Sequence, residues 1–558
     1  MEKIIVTSAL PYAYSVPHLG NFVGSVLPAD VFYKYLKMKG TDAIFICGSD
    51  QHGTPIELAA IKKGIEPQQL ADEMHNTIKG LFEKMECTFS YYGKTHTEQN
   101  KETVYELFNS LKDKGFITPT EDMQAYCDVD KRFLTDRFIE GTCPYCHSPK
   151  ARGDQCDECG MLLTPTMLID PHCTICGKKE IRFLKVKNLA IALDRLQGKV
   201  SDFINSRAQN NWSKNAVNKS LGLIKDGLKP RDITRSMKWG FKVPVEGYED
   251  SVIYVWFDAV IGYIGITKEF GESIADRYWK GNDTRLIQFM GKDNIEFHAI
   301  MFPAILLGSE KGYILPYTIK ASEYLTSRSV KFSKSQGVGL NIEAALQILD
   351  ADYWRFTLMY LYPETADTEF SLEALKDIVN SVMNDKIGNL VNRVLVIARN
   401  NASVLGASGE EGAIGIDAGA DDGISSIISS YKANFDKLNI REALRDATAL
   451  AALGNEIMSS SEPWALAKNA TSDVKAKEDF VRIVHKLLRI VFDLGVLLYP
   501  FTPLASSKIL GYFGIDGAPS ISLLDLRATL DMSKEIEILF SKITDKEMDK
   551  LRVFENRP

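Results

Sequence analysis

Two short segments carry residues suited to holding a polyphosphate. The first is Pro17-His18-Leu19-Gly20-Asn21. It follows an apolar, strand-like run, Lys3 to Ala9. It precedes a run, Asn21 to Lys39, whose apolar residues Phe22, Val23, Val26, Leu27, Val31, Tyr35 and Leu36 recur at helical spacing. A His at a strand-to-helix junction sits where backbone N–H groups are unpaired and the helix dipole favours an anion, and its imidazole adds one donor. By itself the motif is equally well a polar surface turn. The second segment is Lys331-Phe332-Ser333-Lys334-Ser335-Gln336-Gly337. Two lysines three apart, with small hydroxyl residues between them and a Gly after, make a basic loop able to fold over phosphates. Charged loops are usually only solvated. With His18, both segments would supply donors to one polyphosphate.

The cysteines suggest a second kind of chemistry. The chain has nine, and seven fall between Cys127 and Cys176. Cys143, Cys146, Cys156 and Cys159 form two CxxC pairs separated by nine residues. Such knuckles place four thiolates around one Zn²⁺ and leave no position for a substrate, so the ion is structural. Redox or chance use of the four is the weaker reading. Cys173 and Cys176 form a third knuckle, and Cys127 would be a third ligand of a second zinc. Its fourth ligand is open between Asp130 and His172, or the site is incomplete.

These groups need elements to position them. Asp42 to Cys47 is a continuous apolar run, as expected for a strand buried on both faces of a parallel sheet. Strand, helix and strand make a βαβ unit. The run ends in Asp50-Gln51-His52-Gly53, and ligand groups gather past the carboxyl ends of such strands. Simple turn chemistry is the plainer alternative. Residues 67–115 read as amphipathic helices, and 180–235 as mixed, with helices around 188–210. Ser251 to Trp256 reads as a buried strand, and Leu286 to Met290 as another, followed by Gly291-Lys292-Asp293-Asn294 and His298. A strand-then-polar-loop design thus recurs after the cysteines, as a sheet split by a zinc-binding insertion would require. From about residue 373 helical periodicity takes over: one long amphipathic helix from Leu375 to Leu395, then runs at 424–437, 441–460 and 475–499. Residues 402–423, rich in Gly, Ala and Ser, read as a loose connection. In this all-α bundle Asn389, Arg393 and Trp464 could offer hydrogen bonds and stacking to bases. On the residues alone, Trp464 in Glu462-Pro463-Trp464 is better read as packing at a helix start.

The bulk numbers bound the rest. The chain has 558 residues, room for roughly three or four domains. It is 45% apolar and 25% charged, as a folded globular protein is. A net charge of −7 argues against holding nucleic acid by bulk positive charge, though not against a local basic face. No apolar stretch reaches the ~20 residues that span a bilayer, and no secretory layout opens the chain, so no membrane partner and a cytoplasmic location are expected.

Together, His18-Leu19-Gly20-Asn21 and Lys331-Phe332-Ser333-Lys334-Ser335 resemble the HIGH and KMSKS motifs of class I aminoacyl-tRNA synthetases. Further matches resemble the methionyl-tRNA synthetase family in particular. They are Ala9-Leu10-Pro11-Tyr12, Asp50-Gln51-His52-Gly53-Thr54-Pro55, the knuckles, Tyr254 to Ala259, Gly291-Lys292-Asp293 with His298, and Asn389-Leu390-x-x-Arg393 with Trp464. Departures are few. Asn21 stands for the second His of HIGH, Phe332 for the Met of KMSKS, and Val260 for a Pro found in many members. The insertion has no room for a large hydrolytic editing domain.

The resemblance implies a Rossmann-type catalytic domain in two halves, 1–116 and 236–325, around the insertion 117–235. It implies a KMSKS loop and stem-contact region over 326–372 and an anticodon-binding bundle over 373–558. It implies activation of methionine by ATP with Mg²⁺, and transfer to tRNA(Met), initiator and elongator. Catalysis maps to His18, Asn21, Lys331 and Lys334, and ATP binding to His18, Gly20, Asn21, Asp293 and Lys334. Methionine binding maps to Ala9, Leu10, Tyr12, Asp50, Trp256, Ala259, Tyr263 and His298, with Asp50 on the amino group and Asp293 on the ribose. Anticodon contacts map to Asn389, Arg393 and Trp464. A monomer is expected. The rival readings are a cysteinyl-tRNA synthetase, whose zinc must stay open to grip its substrate, and a zinc-ribbon RNA-binding protein without catalysis.

Overall fold

The alternation of buried apolar runs and helices at the N-terminus folds into a wholly parallel, five-stranded sheet. In chain order its strands are β1 (Lys3–Ser8), β2 (Asp42–Ser49), β3 (Tyr91–Lys94), β4 (Thr284–Gly291) and β5 (Pro316–Ser322), and their spatial order is β5-β4-β1-β2-β3. The strand order reverses beside β1, so β4 and β2 flank it and their carboxyl ends open one crevice. The structure, a computed structural model, describes residues 2–153, 155, 156, 158, 159, 161, 163–327, 330, 331, 339–406, 413–417 and 422–555. Phe332, Lys334 and Ser335 lie outside them, and Lys331 is described by its backbone alone.

After β1 the chain enters helix α1, in which Leu19–Asn21, a π-turn over Phe22–Val26 and Leu27–Met38 follow without a break. Pro28 cannot donate a backbone hydrogen bond, and the π-turn just before it absorbs the mismatch. In Leu27–Met38 every residue but Lys37 is buried, because the sheet covers one side and the C-terminal bundle the other. Tyr35 stacks on Phe435 with ring centroids 4.1 Å apart.

Helix α2 (Glu98–Asp113) packs against α3 (Val255–Phe270). Gly265 permits this contact, since a Cβ there would lie 2.5 Å from the Asn100 Cα. Helix α3 corrects one expectation: of Ser251 to Trp256, only Val252–Ile253 is strand, and Trp256 stands in the first turn of α3. This helix is buried almost all round, so no polar stripe marks its period, and its β-branched start reads as a strand. Tyr91–Lys94, within the stretch read as helices, is the edge strand β3. The helix expected over 188–210 is Leu193–Arg207, preceded by a long strand, Ile181–Ile191. That strand pairs antiparallel with Ile117–Cys127 from Ile117↔Ile191 to Cys127↔Ile181, and this ribbon carries the cysteines.

Beyond β5 a small sheet joins Leu325–Ser327 to Val330–Lys331 and to Thr368–Glu369. Helix α4 (Ala351–Tyr360) leads to the bundle. Its members include Leu372–Asp377, Ile378–Gly388 and Asn389–Asn400 in continuous succession, then Asp422–Asp436, Ile440–Ser461 and Val474–Leu498, close to the periodic runs. Within the expected loose connection, Ile414–Ile416 pairs with Ala528–Leu530. Among the described residues no helix is long and apolar enough to cross a membrane.

Candidate active site

One cavity of about 390 Å³ opens at the carboxyl ends of β1, β2 and β4. Its lining includes Ala9, Leu10, Tyr12, His18, Gly20, Asn21, Asp50, Trp256, Ala259, Tyr263, Asp293 and His298, brought from segments nearly 300 positions apart. His18 is the N-cap of α1. Its Nδ1 accepts from the Asn21 backbone N–H at 3.0 Å, and Asn21 Oδ1 accepts from the His18 N–H at 3.4 Å. This reciprocal cap gives Asn21 a local reason for its place in the motif. It also fixes the ring: with Nδ1 accepting, the imidazole proton sits on Nε2. The chain returning from the lysine loop docks here by backbone. Leu19 N–H donates to Leu340 O at 3.0 Å and Ile342 N–H to Pro17 O at 3.1 Å.

The other end of the cavity is aromatic. The Trp256 ring lies flat on Phe297, with centroids 3.7 Å apart, and Tyr12 meets its edge. His298 Nδ1 donates to Asn294 O at 2.9 Å, so its Nε2 accepts, and the Tyr263 hydroxyl donates to it at 2.8 Å. Burial pushes His298 down to about 4, so this imidazole is neutral near pH 7. Asp50 stands at the wall, its backbone paired to Pro11 and Ala13 and its Oδ1 accepting from the His52 N–H at 3.2 Å. The His52 ring turns away from Asp50: its Nδ1 bonds Asp258 and its Nε2 faces His96 Nδ1 at 2.8 Å. Asp50 and Asp258 are buried with no Lys or Arg ion pair among the described residues, and Asp258 Oδ1 has no partner. Burial, with each other's charge added for Asp50, pushes both carboxyls well above the ordinary range.

The cysteines gather in two groups. Cys143 Sγ lies 3.8 Å from Cys159 Sγ, and Cys146 Sγ lies 3.6 Å from Cys156 Sγ. A tetrahedron with ~2.3 Å metal–sulfur bonds has edges of about 3.8 Å, so four thiolates at this spacing suit Zn²⁺. The second group is Cys127, Asp130, Cys173 and Cys176, whose ligand atoms all lie within 4.8 Å of one another. Asp130 Oδ2 is 2.9 Å from Cys173 Sγ, whereas His172 faces Glu140 at 3.8 Å. Of the two residues considered for the fourth place, geometry selects Asp130. In the bundle, Trp464 is 42% exposed. The Arg393 guanidinium lies 5.5 Å from its ring centroid, and Asn389, one turn earlier, donates to Asp385 at 3.3 Å.

Several cavity residues gave no sign in the sequence. Arg137 comes from the cysteine-bearing insertion and is the one Lys or Arg among the described residues lining the cavity. Phe297 backs Trp256, and Glu323 and Tyr324 close the side near Asp293. Only the proximity of Phe297 to His298 could have drawn attention to one of them. Asp258 was noted as part of a motif, but its bond to His52 spans 206 positions.

Residues 4–395 match the family described as tRNA synthetases class I (M), and 409–555 match the anticodon binding domain of methionyl tRNA ligase. The chain is 38% identical over 553 residues to the methionine–tRNA ligase of Caldivirga maquilingensis, covering 98% of this chain and 92% of that one. It is 40% identical over 525 residues to that of Aeropyrum pernix, covering 93% and 90%. Its fold is similar to a crystal structure of Mycobacterium tuberculosis methionyl-tRNA synthetase bound by methionyl-adenylate, with TM-score 0.77 at 20% identity, covering 97% and 100% of the two chains.

Proposed function

The chain belongs to the class I tRNA synthetases of the methionine type, and from that membership we propose that it is a methionine–tRNA ligase acting on initiator and elongator tRNA(Met). A methionine carboxylate oxygen attacks the α-phosphorus of ATP, the bond to the β-phosphate oxygen breaks, and pyrophosphate leaves. A hydroxyl of the terminal tRNA ribose then attacks the acyl carbon and AMP leaves. One observation carries this reading: a capped His18 and a buried aromatic pocket with a carboxylate lie in the same cavity.

The roles fall on the residues as follows. His18 donates from Nε2 to a phosphate, and Asn21 and Gly20 border the same helix start. Lys334, with Lys331, neutralises charge as pyrophosphate forms. Such chemistry needs positioning and charge stabilisation more than covalent help. Asp50 takes the α-ammonium, whose positive charge offsets the burial of the carboxylate. The thioether lies among Tyr12, Trp256 and Tyr263, since sulfur packs well on rings and accepts only weak hydrogen bonds. Ala9, Leu10, Ala259 and His298 complete that pocket, and Asp293 takes the ribose. Trp464 stacks an anticodon base beside Arg393 and Asn389. Mg²⁺ accompanies ATP.

The two cysteine groups would each hold a structural Zn²⁺, the first by four thiolates and the second by three thiolates and Asp130. Neither leaves an open position, which disfavours the cysteine enzyme. Metal analysis should give two zinc ions per chain, and one in either Cys143→Ser or Cys127→Ser. Pyrophosphate exchange measured across the amino acids tests the function itself. Exchange with methionine alone is expected. Exchange with cysteine, or RNA binding without exchange, would replace this reading.

A further inference from the structure

Tyr324 is gripped on three sides. Its backbone N–H donates to Asp367 Oδ1 at 2.8 Å. The Lys292 ammonium lies 3.9 Å from its ring centroid, held there by Glu323 at 2.7 Å and Asp367 at 2.8 Å. Its hydroxyl donates to Asp293 Oδ1. Burial, and then Asp293 itself, push the phenol well above its ordinary range, so it stays a donor. Lys292 and Asp293 are neighbours on the turn at the carboxyl end of β4. One therefore holds the face of the ring while the other takes its hydroxyl.

The position of Tyr324 in the chain gives these contacts a consequence. It directly precedes Leu325–Ser327, whose Thr326 and Ser327 pair with Lys331 and Val330. The phenol thus stands at the root of the hairpin that leads into Lys331-Phe332-Ser333-Lys334-Ser335. Its hydroxyl reaches across to a carboxylate that lines the cavity. A carboxylate can accept about four hydrogen bonds. The one from Tyr324 fixes the plane of Asp293, so a ribose hydroxyl meets an acceptor already oriented.

We propose that Tyr324 is a positioning residue of the nucleotide step. Its hydroxyl orients Asp293 for the ribose of ATP and ties ribose binding to the root of the hairpin that carries Lys331. The inference rests on Asp293 as the ribose acceptor. Tyr324→Phe keeps the ring and its Lys292 contact but removes the hydroxyl. In pyrophosphate exchange it should raise the ATP KM roughly 10- to 100-fold, the loss expected for a hydrogen bond to a charged group, with the methionine KM unchanged. Exchange with 2′-deoxy-ATP and 3′-deoxy-ATP supplies the second arm. At least one of them should be impaired with the native enzyme, yet suffer little further loss with Tyr324→Phe, because the same acceptor is already disordered. Asp293→Asn separates the two ideas. If it raises the ATP KM while Tyr324→Phe does not, the positioning role is wrong and the ribose reading stands. If neither variant moves the ATP KM, both are wrong. Deoxy-nucleotide losses that simply multiply with the Tyr324→Phe loss would also overturn the proposal.

Discussion

Buried charge collects in two places in this molecule, and the two are built in opposite ways. On the buried face of α1, Asp30 and Lys34 meet Arg355 of α4, all three almost wholly buried, and each charge has an opposite partner. The Asp30 carboxylate takes Lys34 at 2.7 Å, Arg355 at 2.7 Å and the Thr88 N–H at 2.7 Å. The remaining Arg355 donors reach Met85 O, Pro500 O and Phe501 O at 2.6–3.1 Å. That cluster closes α1, α4 and the bundle on one another. At the cavity wall, by contrast, Asp50 shares the histidine His52 with Asp258 behind it; among the described residues neither has a basic ion pair, and Asp258 Oδ1 has no hydrogen-bond partner. A compensated cluster holds a fold together. An uncompensated one, next to a cavity, costs stability and suits a cationic ligand.

Substitutions at the two clusters should therefore differ in sign as well as size. Arg355→Met leaves Asp30 paired with Lys34 but takes the donor from three buried backbone carbonyls, and should cost about 3–5 kcal/mol of stability at ~1–3 kcal/mol each. The midpoint of denaturant unfolding measures this, and a loss below about 1 kcal/mol would break the contrast. Asp50→Ala should raise the methionine KM on the order of 10²-fold or more, as truncation of a buried charge partner does, and leave the ATP KM nearly as it was. Its unfolding midpoint should stay level or rise, because a buried carboxylate without a basic partner is gone. A drop comparable to that of Arg355→Met would mean Asp50 is structural.

Trp464→Ala extends the contrast to an exposed residue. Stability should not change, and tRNA charging should fall by the ~1–3 kcal/mol of one stacked base while pyrophosphate exchange is spared. Equal losses in both assays would remove Trp464 from the tRNA contact. The smallest effect is on pH dependence. Burial lowers His298 from 6.5 to about 4, so between these values the unfolded chain binds a proton that the folded chain refuses. Its contribution to stability is present above pH ~6.5 and fades as pH falls toward ~4. His298→Gln should flatten that acid slope in a series of thermal midpoints, and an unchanged slope would show that the buried imidazole does not set it. The raised carboxyls Asp50 and Asp258 act the other way, losing stability as pH rises from about 4.

Much of the site was legible because its signals are local. A helix start, a basic loop and CxxC spacing each declare themselves within a few residues. The long C-terminal helices are amphipathic and reveal their period. Helix α3 was misread because burial on nearly all sides removed the polar residues that mark a period. Arg137 and Tyr324 stayed hidden because no spacing in their own segments sets them apart.

The sequence by itself determined which chemistry the chain carries: donors for a polyphosphate, thiolates for zinc, and the order of strands and helices that must present them. Those features depend on neighbours along the chain and on a repeating period. Tertiary structure alone decided which groups face each other. The Tyr324 hydroxyl meets Asp293, His52 meets Asp258, Asp130 rather than His172 joins the second cysteine group, and Arg355 gathers carbonyls from two distant segments. Hydrogen bonds and ion pairs act over a few ångströms, and only a folded chain brings residues from such remote positions that close.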